Sequence, residues 1–169
     1  MVLKAARGAG LPLGHCEDIA AAAVYLAATD PARLTCLDAA LAGPFDAVAA
    51  TVKDNEMRCA SARAAMAGPA AIDAVRAGVA QVRLCDLDAP RLVLALFGAH
   101  RVAVDHAYDG ADLIVTPARR DAPAAPLVGH VTVPSIVWEN LRNLADETYV
   151  PASDASRIAG AGAGLNDND

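Results

Sequence analysis

The densest run of reactive side chains in this sequence is His15-Cys16-Glu17-Asp18, which sets an imidazole, a thiol and two carboxylates in consecutive positions. At a helix start such a run meets exposed backbone N–H groups, which can lower a thiol pKa or bind an anion. Helical geometry works against a single metal or nucleophile site, because adjacent residues point in different directions and cannot converge on one atom. Carboxylates in a first turn also serve the helix dipole with no catalytic role. Nearer the N-terminus, Lys4 and Arg7 offer two cations. Together with Glu17 they form the set that an enzyme of small-molecule metabolism would use, the cations holding an anionic substrate and Glu17 acting as acid or base.

The remaining candidates have plainer readings. Asp105-His106 falls on an alternating segment, where successive side chains face opposite sides of a strand, so it is not a self-contained acid–base dyad. His100 and His130 have no ligand-spaced partner and read as structural. Ser153 and Ser156, with Asp154 and Arg157 beside them, lack the GxSxG elbow that exposes a nucleophile and read first as turn and capping residues. Gly160, Gly162 and Gly164 alternate with alanine but have neither the GxGxxG spacing nor the flanking strand and helix of a phosphate loop. Cys16, Cys36, Cys59 and Cys85 include no CxxC pair and read as free, partly buried thiols that pack as small hydrophobes. No cofactor fingerprint or metal spacing is present, so no cofactor is expected.

The elements that must position these groups follow from periodicity. Lys4 to Gly10 reads as a short helix stopped by glycine. From Glu17, the residues Ile19, Ala22, Ala23 and Leu26 share one helical face. Asp30-Pro31 opens a second helix carrying Leu34, Leu37 and Leu41, which Gly43-Pro44 ends. Phe45 to Ala67 reads as helical through Val48, Val52 and Met57, although Lys53-Asp54-Asn55-Glu56 interrupts the apolar pattern. After Gly68-Pro69 the signal changes, and Val79 to Leu84 alternates as a half-buried strand does. Asp88-Ala89-Pro90 starts a helix that is apolar nearly all round and closes at Gly98. Val102 to Val115 reads as a β-hairpin turning at Tyr108-Asp109-Gly110. A loop rich in proline then leads to a helix from Pro134 with Val137, Leu141 and Leu144 on one stripe.

The expected fold is α+β: N-terminal helices, a small, mostly antiparallel sheet of three to five strands, helices packed on one face, and an extended C-terminal arm. One domain over residues 1–150 carries the core, and residues 151–169 form the glycine-rich, acidic arm. At 169 residues the chain can bury a core without a staple. Aromatic residues are only 4% of it, so that core rests on many small contacts. Net charge is −6 and no basic cluster exceeds Arg119-Arg120, which argues against nucleic acid. The longest uncharged apolar stretch, Ile19 to Thr29, is too short to span a bilayer, and no signal-peptide pattern opens the chain, so a cytoplasmic protein without membrane contact is expected.

Two segments carry a resemblance: KAARGAGLPLGHCEDIA at the start and TYVPASDASRIAGAGAGLNDND at the end. Both resemble the uncharacterised bacterial family called domain of unknown function 3726, over about a quarter of the chain. Leu13-Gly14 stands where the family has a tryptophan–glycine pair, and Glu17-Asp18 corresponds to its paired acids. The family supplies no activity. The resemblance implies that the two ends matter together, with Lys4, Arg7, Glu17, Ser153, Ser156 and Arg157 lining a shared polar site within a subunit or across a dimer. A homo-oligomeric assembly or accessory protein is the favoured reading, with an anion-binding enzyme as the alternative.

Overall fold

The computed structural model describes residues 1–121, 124 and 130–148. Their order is α1 (Val2–Gly8), α2 (Leu13–Thr29), a 3-10 turn (Pro31–Thr35), α3 (Cys36–Ala40), β1 (Ala50–Lys53), β2 (Glu56–Cys59), α4 (Ala64–Arg76), β3 (Gln81–Leu84), α5 (Pro90–Ala99), β4 (Val104–Asp109), β5 (Asp112–Pro117) and α6 (Ser135–Asp146). The arm expected over 151–169 lies outside the described residues.

The helix faces follow the periodicity. α2 buries Cys16, Ile19, Ala22, Ala23 and Leu26, spaced by three, three, one and three residues as one helical stripe requires. It begins at Leu13, one turn before the glutamate. The segment after Asp30 splits into the 3-10 turn and α3, burying Leu34, Leu37 and Ala40.

Two expectations fail between Phe45 and Arg76. The first half of that span is not helical but a hairpin, with Ala50 opposite Cys59 and Lys53 opposite Glu56. Asp54 and Asn55 form its two-residue loop at φ of 50° and 61°, left-handed values that match the type I′ turn favoured by strand twist. The polar break in the apolar pattern is therefore the turn itself. Further on, α4 runs straight through Gly68-Pro69. Proline there removes one helical N–H bond. Burial of Ala64 to Gly68, Ala71, Ile72 and Val75 keeps the helix in place, and a Cβ on Gly68 would meet the Leu96 side chain of α5.

The fold is α+β, with a five-stranded sheet in the order β1-β2-β3-β5-β4. Only β2 and β3 are parallel, joined through α4; the other three pairings are antiparallel. Met57, Cys59, Val82, Leu84, Leu113 and Val115 form the buried face, and α4 packs on β2 and β3. The alternate positions Arg58, Arg83, Ile114 and Thr116 occupy the other face. Behind α4, the core continues through α5 to α2, and α1 is held between α2 and α6. Small residues make these approaches possible. A Cβ on Gly8 would overlap the backbone carbonyl of Leu144 in α6, and one on Gly98 would collide with the Tyr25 ring. Among the described residues no polar side chain is fully buried, and no helix is long and apolar enough to cross a membrane.

Candidate interaction site

The N-terminal cluster does not converge on one point. Lys4 and Arg7 are exposed on α1, and Glu17 is exposed on α2. Cys16 turns inward, and its thiol donates a hydrogen bond to the Leu11 carbonyl at 3.2 Å. Burial pushes that thiol up from its ordinary value; nearby Arg7 opposes the rise and Glu17 adds to it. A buried thiol held in its neutral form is a packing group, not an activated nucleophile. Asp18 leaves in a third direction, placing Oδ1 2.9 Å from His100 Nε2 at the end of α5, a pair that is ionic when the imidazole is protonated. Among the described residues no group of three histidine, cysteine or acidic side chains is arranged to hold a metal. Ser153, Ser156 and Arg157 lie outside the described residues.

The other polar groups are occupied in holding the fold. Asp88 follows β3 and accepts the Ala64 N–H at 2.8 Å, so a carboxylate 24 residues away caps α4. Its second oxygen lies 3.4 Å from Arg63 Nε, and Arg63 donates onward to the Ala39 carbonyl at 3.2 Å. Ligands of α/β sheets gather at such carboxyl ends of parallel strands; here Arg63 Nε and Asp88 Oδ2 face each other as an ion pair, each buried without a hydrogen bond among the described residues. At the opposite side of the sheet, Arg83 contacts Asp109 and Asp112 at 3.0 Å each. Its hydrogen bond holds the Asp112 carboxyl below the usual range. All four thiols are free. Burial drives Cys36 up to about 11, and burial first, then a hydrogen bond with Asp112, raises Cys85. Asp105 pairs with Arg120 at 2.7 Å, while His106 meets Tyr108 edge-on. The two neighbours part company, as strand alternation requires.

One feature of the described surface is apolar. Between α1, α2, α3 and α6 lies a cavity of about 270 Å³ whose floor includes Ala23, Leu34, Leu37, Val137 and Leu141. Met1, Val24 and Trp138 also line it, and these three are 47%, 70% and 46% exposed. None of the side chains that line the cavity is charged. No protein-family model, curated protein or solved structure matches this chain. The site must therefore be read from its own chemistry. An open hollow of uncharged side chains, rimmed by methionine, valine and tryptophan, offers dispersion contacts and released water.

Sequence reasoning missed Trp138. The signal was available: the inward stripe of α6 runs through Val137 and Leu141, which turns the next residue about 100° away from the core. An indole at that position is a large apolar group facing outward.

Proposed function

We propose that the protein is a non-catalytic assembly or accessory protein that pairs with a second copy through the α1/α2/α6 hollow. The observation that carries this reading is that protruding groups and a hollow occur on the same face. A two-fold interface is made from one patch meeting itself, so each copy must supply both the projection and the recess. Trp138 is the projection best suited to anchor such a contact, since tryptophans dominate interface energetics when they enter a dry pocket. A net charge of −6 disfavours nucleic acid and anionic membrane surfaces as alternative occupants. Four free thiols suit a reducing compartment, which fits a cytoplasmic location. The resemblance of the two ends to the domain of unknown function 3726 family is compatible with this reading and adds no activity to it.

The enzyme alternative has less to stand on. Lys4, Arg7 and Glu17 do not line the apolar hollow. Sedimentation velocity of the full chain over a wide concentration range tests the proposal. The expected result is a reversible dimer that Trp138→Ala weakens by roughly tenfold or more, with an unchanged circular dichroism spectrum. A wild-type chain that stays monomeric, or a Trp138→Ala chain that dimerises as well as wild type, would remove the reading.

A further inference from the structure

We infer that the outer edge of β1, which pairs with no further strand among the described residues, is a second, independent self-association surface, pairing antiparallel with β1 of another copy about a two-fold axis through Thr51. All four β1 residues are exposed, and Val52 is 65% exposed. The hairpin register says which backbone groups are free. Lys53 and Glu56 close a two-residue loop, so they form a hydrogen-bonded pair, and pairs alternate from there. Thr51 therefore bonds inward to Arg58, whereas the N–H and C=O groups of Ala50 and Val52 point away from β2.

Those outward groups fix the pairing. Centring the two-fold on Thr51 sets Ala50 opposite Val52 of the other copy twice over, giving four backbone hydrogen bonds, and sets Lys53 opposite Ala49. No like charges meet, and two threonines face each other on the axis, a favourable cross-strand pair. Centring on Val52 instead would need Asp54, which is locked in the left-handed turn.

The other edge, β4, is guarded against the same event. Arg120 donates to the outward Val104 carbonyl at 3.3 Å while pairing with Asp105. A two-fold centred on Asp105 would set that carboxylate against its copy, and one centred on Ala107 would set it against Asp109. Like charges directly opposite are destabilising.

Five residue pairs bury less surface than a stable dimer needs, so the contact is weak by itself and is best trapped covalently. In the registered pair, the Thr51 positions form a non-hydrogen-bonded pair about 4.5 Å apart at Cα, within disulfide reach. Thr51→Cys and Lys53→Cys, each in a full chain carrying Cys36→Ser, are oxidised mildly and resolved on non-reducing gels. The expected result is a covalent dimer from Thr51→Cys at least several-fold more abundant than from Lys53→Cys. The preference persists when Trp138→Ala is added, which separates this edge from the apolar hollow. Equal crosslinking of the two variants, or none from Thr51→Cys, overturns the inference.

Discussion

The helical layer and the sheet rim of this protein are held by different forces. Between α1, α2, α5 and α6, backbone and rings approach so closely that Gly8 and Gly98 have no room for a methyl group. Along the sheet, Arg83 gathers Asp109 and Asp112, and Arg120 ties Asp105, all on partly or largely exposed side chains. A chain poor in aromatic residues gains its packing from proximity, and proximity depends on side-chain size but hardly on pH or salt. The charged rim has the reverse sensitivities.

The sharpest break in that contrast comes from Gly8→Ala. The obstacle is the Leu144 backbone carbonyl, which cannot rotate away, so α1 must lift from α6. A loss of about 3 kcal/mol is expected, read as a lower denaturant midpoint at unchanged slope. Gly98→Ala meets a side chain instead. The Tyr25 ring is bordered by cavities of about 260 and 370 Å³, so it can swing aside, and about 1 kcal/mol is the expected cost. If the two variants cost the same, rigid backbone contact is not what distinguishes α1's seat.

On the sheet side the readout is acid. Asp112 titrates lower in the folded protein than in the unfolded chain, chiefly through its hydrogen bond from Arg83. Its stabilising contribution is complete above the ordinary carboxylate range and disappears as pH falls through the folded value. Arg83→Met should therefore flatten the loss of stability on acidification below about pH 4, while leaving the response to Gly8→Ala unchanged. The smallest effect is expected from Arg120→Ala. Its ion pair with Asp105 has side chains 65% and 60% exposed, so stability shifts by at most about 0.5 kcal/mol. Amide exchange at the β4 edge should nevertheless quicken, because the Val104 carbonyl loses its donor.

Much of this architecture is legible in the sequence, and the exceptions share a cause. The α2 stripe, the α5 start at Pro90, the β4–β5 hairpin and the α6 stripe all follow from periodicity and capping chemistry. The β1–β2 hairpin is hidden because its turn, Asp54-Asn55, contains no glycine to mark two left-handed residues. α4 is hidden because Gly68-Pro69 is a strong local stop signal, overruled by burial that only the folded chain provides. The site divides in the same way. Lys4, Arg7 and Glu17 are exposed, on two different helices, and do not line the apolar hollow. Trp138 became conspicuous only once the inward face of its helix was fixed. Asp88 capping α4 from beyond β3 is a tertiary contact with no local sequence mark.

The seat of Gly8 against Leu144 joins the first helix of the described residues to the last. α1 can cover its α2 side with chain that lies next to it in sequence, but its other flank waits for α6, which follows every strand of the sheet. The seat of α1 thus depends on a contact of high sequence separation, whose loop-closure cost must be met before the packing is gained. Loss of α6 would leave α1 half clothed, and a protease would meet that helix first.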